Sequence, residues 1–399
     1  MKTTRRTLLK TSLAAGVLSS ITTSLGLSAA QEEAAMDKVE KAMKPLKILF
    51  LGGTGFLGPH TVQYAIDRGH EVTLFNRGRS KEGLFPGVEK LVGNRDPEVD
   101  DGLSALMNRQ WDCVIDTSSY VPRIAEASAE LLANQCQQYL MVSTISVYAN
   151  FNKAGMNETA AVGTLADPTV EKVDGATYGP LKAYSEQAVL KHFGNRATIV
   201  RPGLIVGPRD KTDRYTYWPV RTAKGGPMIA PGDGTDKVQY VDARDLGQFM
   251  VHCVERNIYG TFNAISDSAS ETVADMVNSC IEASESSAEP VWVDTEFLTE
   301  KGIRPWVDMP VWVPNEGEMI GLSQIDVSRA MAAGLTIRPR IETARDTLAW
   351  FNTLPDDRKA KLRAGVSPEK EGQVLAEWQS LQQAKEAEIA TGDTQEGSS

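Results

Sequence analysis

Four cysteines and four histidines among 399 residues leave little material for disulfide or metal chemistry. Cys113, Cys136, Cys253 and Cys280 stand far apart in strand or helix patterns, and a chain this large is expected to keep them as buried thiols rather than as a disulfide framework. His60, His70, His192 and His252 show no ligand spacing with cysteines or carboxylates, so no metal site is expected. Positive charge is also short. With 42 Lys and Arg against 52 Asp and Glu the net charge is −10, which argues against a nucleic-acid partner or an anionic membrane surface. Long apolar runs are missing as well: Thr11 to Leu27 is broken by Ser19, Ser20, Thr22, Thr23 and Ser24 and makes a poor membrane span.

Thr4-Arg5-Arg6-Thr7-Leu8-Leu9-Lys10 precedes that weak run, and Ser28-Ala29-Ala30 follows it as a small-residue cleavage site. Paired arginines before a weak hydrophobic segment resemble a twin-arginine signal, the address of proteins exported already folded. Residues 1–30 are therefore expected to be a signal peptide, with the twin-arginine export machinery as partner and a periplasmic or otherwise exported product. Removing Lys2, Arg5, Arg6 and Lys10 with no acid lost takes the mature chain from −10 to −14.

Glycine is present where it carries meaning. The apolar strand pattern Ile48 to Leu51 runs into Gly52-Gly53-Thr54-Gly55-Phe56-Leu57-Gly58, then a helix pattern from Thr61 to Arg68, then a second strand from Glu71 to Phe75. This βαβ order is how a Rossmann unit brings its backbone against a dinucleotide pyrophosphate, although the spacing is GGxxxxG rather than GxGxxG. About 20 residues after the glycines an NAD site usually offers Asp or Glu to the ribose hydroxyls. Here Asn76 stands there, followed by Arg77, Gly78 and Arg79. With no carboxylate to repel a 2′-phosphate, and guanidiniums to grip it, NADP is favoured and NAD stays open.

Tyr178 and Lys182 lie four residues apart at the start of a helical run and so share one face. Moving a tyrosine pKa from 10 to about 7 takes about 4 kcal/mol of phenolate stabilisation, for which a neighbouring ammonium has the right sign. Upstream, the strand Gln138 to Val142 ends in Ser143 and Thr144, hydroxyls at the carboxyl edge where α/β sheets bind ligands.

On these residues the chain resembles the extended short-chain dehydrogenases/reductases of the NAD-dependent epimerase/dehydratase type, and within them an atypical GGxxxxG group labelled isoflavone-reductase-like. The resemblance runs from about Lys47 to Phe351 and takes in Asp116-Thr117-Ser118, Val142-Ser143-Thr144, Tyr178 with Lys182, Arg201-Pro202-Gly203 and Tyr240 to Leu246. It implies a doubly wound Rossmann fold, α/β in class, with a smaller C-terminal substrate lobe. It also implies catalytic roles for Tyr178, Lys182 and either Ser143 or Thr144, and cofactor contacts at Thr117, Ser118, Pro202 and Leu204. Counting back from Tyr148, the family's catalytic serine falls on Thr144, with Ser143 beside it. Two departures stand out. Asn94-Arg95-Asp96 occupies the place of an Asp near the adenine, and Ala149 to Thr177 is long enough to suggest a lid or rim.

The expected organisation is a linker at 31–46, a Rossmann domain at 47–202 plus 237–264, a substrate lobe at 203–236 plus 265–354, and a C-terminal helix with a disordered tail at 355–399. Within the lobe, Arg209 or Arg214 is expected to hold a polar or anionic group, with Tyr215 and Trp218 stacking on a ring. Asp242 and Asp245 read as helix-start and inter-lobe contacts. These features point to an oxidoreductase or epimerase-type enzyme acting at a secondary alcohol or carbonyl of a sugar-like or polyol substrate. Export predicts that it holds its cofactor tightly. The alternatives are a reductase of an aromatic or phenolic substrate and a non-catalytic nucleotide- or RNA-binding relative; a homodimer is compatible with each.

Overall fold

Ile48, Leu49, Phe50 and Leu51 are all fully buried, a condition met by a central strand of a parallel sheet covered on both faces. The computed structural model describes residues 39–79 and 83–396, so the expected signal peptide and most of the expected linker lie outside the described residues. From Ala42 onward the chain forms one unit. Its strands are β1 (Lys47–Leu51), β2 (Glu71–Asn76), β3 (Glu89–Val92), β4 (Cys113–Asp116), β5 (Gln138–Val142), β6 (Ala197–Arg201), β7 (Leu204–Val206), β8 (Gly226–Pro231), β9 (Tyr240–Asp242), β10 (Gly260–Asn263) and β11 (Ala288–Val293).

Seven of them make a parallel sheet in the order β10-β6-β5-β4-β1-β2-β3. The strand order reverses beside β1, between β4 and β2, and this switch point opens the crevice in which doubly wound sheets bind ligands. One face packs against the helices Leu57–Asp67 and Ala243–Glu255, and the other against Pro122–Leu132 and Tyr178–Phe193. A separate apolar core gathers the rest: β8 and β11 pair, the helix Val273–Ser284 carries a Thr272/Asp275 capping box, and Val374 and Trp378 of the C-terminal helix pack in.

Val238 to Val241 stays outside the main sheet, since β9 pairs only with β7 in a two-stranded ribbon. The tail expected to be disordered from Thr391 continues the helix Pro368–Glu396. The segment 149–177 lines neither cleft at the switch point itself, but its Glu171 pairs at 2.7 Å with Arg123, which holds Asp96 at the edge of the first. Its other end is held by backbone contacts, Gly155 N–H donating to Gln324 O at 2.7 Å and Gly321 N–H to Phe151 O at 2.7 Å. Asp242 does cap its helix, accepting from Arg244 N–H at 2.8 Å, and Asp245 pairs with Arg338 at 2.8 Å, as expected for contacts between the two cores.

Candidate active site

The glycine turn after β1 is shaped by steric necessity. Gly52 and Gly53 adopt φ of +103° and +86°, which side chains disfavour. A Cβ on Gly58 would stand 2.5 Å from the Gly53 backbone, so glycine alone lets the helix Leu57–Asp67 start hard against the loop. Phe56, at its N-cap, supplies no side-chain cap, which leaves amides at this helix start available to an anion. A side chain on Gly55 would meet nothing within 4 Å, so the turn faces open space.

Two clefts meet at this turn and share Tyr120. The first, about 370 Å³, is lined by Gly52, Thr54, Asn76, Arg77, Arg79 and Ser118. The second, about 300 Å³, is lined by Gly55, Phe56, Leu57, Gly58, Thr117, Ser143, Thr144, Tyr178, Lys182 and Pro202. An elongated cradle with the glycine turn and an uncapped helix start at its waist and arginines at one end fits a dinucleotide phosphate. Gly53 lies beneath it, packed on Leu74 and Val62. Leu204 is a correction: it is buried in the second core, and its neighbours Gly203 and Ile205 face the cavity instead.

Lys182 is buried, and its Nζ donates to the carbonyls of Ser119 at 2.5 Å and Val142 at 2.6 Å, with the Tyr120 ring 5.3 Å away. Burial pushes its pKa down to about 8, against the pull of Asp116 and Glu186. Tyr178 differs from expectation. Burial raises its pKa, while Thr144 and Arg214 act in the opposite direction, so the phenol is held in its protonated form. The ammonium expected to depress it is turned onto two carbonyls. Thr144 is the hydroxyl that faces Tyr178, and it also accepts from Ser146 N–H at 3.1 Å. The Ser143 hydroxyl is buried with no hydrogen-bond partner.

Sequence reasoning missed the support beneath Lys182. Arg95 donates through Nη1 and Nη2 to Asp116 at 2.7 and 2.8 Å, through Nη1 to Ser118 at 2.9 Å and through Nη2 to Ser119 at 3.3 Å. Tyr139 Oη adds a bond to Asp116 at 2.6 Å. Arg95 therefore braces the 117–120 loop, and Asp96 is occupied by Arg123 at 2.9 Å, which holds its pKa down to about 2. Only the unusual Asn94-Arg95-Asp96 departure signalled this. Tyr120, two residues past Ser118, was legible in principle from its place on the same loop.

The expected substrate residues divide. Arg214 lines the cavity with Tyr178, joined by Asp210 and Thr212. Tyr215 and Trp218 do not: both are fully buried, Tyr215 against Tyr240 at 5.0 Å and Trp218 donating to Pro310 O at 2.7 Å. Aromatic side chains just ahead of and within the helix Tyr217–Thr222 serve the second core rather than a ligand. Arg209 lines a different cleft, beside His60 and Arg244.

Residues 48–264 match the NAD dependent epimerase/dehydratase family, and the chain belongs to it. It is an NAD(P)-dependent enzyme of the short-chain dehydrogenase/reductase type. It is similar to a 2-alkyl-3-oxoalkanoate reductase of Stenotrophomonas maltophilia, 28% identical over 225 residues, which cover 51% of this chain and 64% of that protein, just under two thirds of its length. Among solved structures it resembles UDP-glucuronic acid 4-epimerase from Bacillus cereus in complex with NAD, with a TM-score of 0.56 and 17% identity over 77% of this chain and 97% of the other. It also resembles the human epimerase family protein SDR39U1 with NADPH, with a TM-score of 0.50 and 20% identity over 77% and 100%. At these identities the structural likenesses speak for the fold.

Proposed function

We propose that this chain is an exported oxidoreductase or epimerase-type enzyme that prefers NADP and acts at a secondary alcohol or carbonyl of a sugar-like or polyol substrate. The observation that carries this reading is that Thr144, Tyr178 and Lys182 line one cavity opening onto the glycine turn. The bound nicotinamide would supply or accept the hydride. In the reducing direction Tyr178 Oη gives its proton to the carbonyl oxygen and Thr144 orients that oxygen, while Lys182, tied to the Ser119 and Val142 carbonyls, braces the cavity wall behind them. Burial of Tyr215 and Trp218 removes the ring-stacking argument for an aromatic substrate.

Export follows from Arg5 and Arg6. An exported enzyme meets little free cofactor, so the reading includes a cofactor loaded before export, retained, and regenerated by a redox-neutral reaction or a second substrate. The deciding experiment purifies the protein from the extracytoplasmic fraction without added cofactor, assays nucleotide released on denaturation, and follows nicotinamide absorbance as candidate sugars and polyols are added. Absence of nucleotide together with activity strictly dependent on added NADPH would overturn retention. Arg5→Lys with Arg6→Lys exported at the wild-type level would overturn the twin-arginine route.

A further inference from the structure

We propose that the substrate carries an oxyanion, a carboxylate or a phosphate, and that Arg214 receives it. This rests on the oxidoreductase reading of the same cavity. Arg214 enters the cavity on the loop between β7 and the helix Tyr217–Thr222, together with Asp210 and Thr212. Neighbouring anchors hold that loop still: the Asp213 carboxylate accepts from Arg358 Nη2 at 2.5 and 2.7 Å and from Arg363 N–H at 2.9 Å.

The guanidinium itself is held from one edge and one face. Thr212 donates its hydroxyl to Asp210 at 2.8 Å, which turns a lone pair toward Arg214 Nε at 3.1 Å. The Trp306 ring lies 5.7 Å from Cζ. Among the described residues Arg214 forms no ion pair and no other hydrogen bond, so both Nη groups remain unengaged. A partly desolvated cation without a carboxylate partner is costly, and burial indeed lowers its pKa against the pull of Asp210 and Tyr178. Asp210, linked to it only through the Thr212 hydroxyl, favours its charge without occupying either Nη group. A planar fork fixed at Nε and free at Nη is the geometry that grips a carboxylate or phosphate in two parallel bonds. Arg214 and Tyr178 line the same cavity, so the oxyanion and the carbonyl belong to one small molecule.

The test uses the full chain with NADPH bound and measures calorimetric affinity for two pairs of carbonyl compounds, acetoacetate against its methyl ester and glycerone phosphate against glycerone. In the wild type at least one oxyanion should bind about tenfold or more tighter than its neutral partner, the worth of one charge-assisted contact. Discrimination in the first pair alone identifies a carboxylate site, and in the second alone a phosphate site. Arg214→Gln should bring the members of each pair to near-equal affinity, and Arg214→Lys should restore part of the difference. Equal binding within both pairs, no binding of any probe, or discrimination that survives Arg214→Gln overturns the proposal while leaving the oxidoreductase reading intact. Failure of NADPH itself to bind overturns both.

Discussion

Arg95 grips Asp116 through two parallel hydrogen bonds, at 2.7 and 2.8 Å, directly beneath the loop whose Ser119 carbonyl holds Lys182. The pair thus joins the arginine-lined cleft to the lysine of the catalytic cavity. Breaking a buried pair strands a charge, so Asp116→Asn should cost about 3 to 5 kcal/mol in urea unfolding. Exchanging both residues, Arg95→Met with Asp116→Leu, should recover most of that stability. A single variant as stable as wild type would show that solvent reaches the pair.

Lys182 titrates at about 8 because burial disfavours its ammonium. A rate that needs this charge should be full well below that value and fall as the pH rises through it, seen as the alkaline limb of kcat/KM. Asp116→Asn removes one of the groups favouring the ammonium and should move that limb to lower pH. For stability the sign reverses: between about 8 and 10.4 the unfolded chain binds the extra proton, so this penalty relaxes as the pH rises.

Tyr178→Phe should retain fold and NADPH binding while kcat falls by a factor of about 10² to 10⁴. Thr144→Ala should lose more activity than Ser143→Ala, since Thr144 is the hydroxyl that faces the phenol. Side-by-side steady-state kinetics decide this, and a larger loss in Ser143→Ala would exchange the two roles.

Arg77→Ala should weaken NADPH binding by about ten- to a hundredfold and leave NAD binding nearly unchanged. Arg79→Ala should cost less, because Arg79 already pairs with Asp100 at 3.3 Å on the surface. Titration by cofactor fluorescence reads both.

Gly58→Ala places a methyl 2.5 Å from the Gly53 backbone, where nothing flexible can yield. Lost nucleotide binding with a lowered melting temperature is the expected result; a variant that binds NADPH normally would mean the helix start can shift without harm.

Much of the sheet was legible from pattern because the physics is local. Gln138 to Val142 and Lys47 to Leu51 are short apolar strands bounded by polar turns, and Tyr178 and Lys182 share a face simply because a helix repeats every 3.6 residues. The errors fall where a side chain had a choice of partners. Tyr215 and Trp218 look alike to a sequence reader whether they line a pocket or fill a core, and only packing against Tyr240, Cys280 and Pro310 decided for the core.

The βαβ opening, the glycine turn, the placement of hydroxyls at the end of β5 and the Tyr178/Lys182 spacing could all be read from the residue order, since each follows from backbone geometry over a few neighbouring residues. Only folding settled that Arg95 braces Asp116 from the wall of the first cleft, that Lys182 donates to the Ser119 and Val142 carbonyls, and that Arg214 enters the cavity while Arg209 does not. Those outcomes depend on groups tens of residues apart competing for the same donors and acceptors inside a dry interior, and that competition is settled only once the chain is folded.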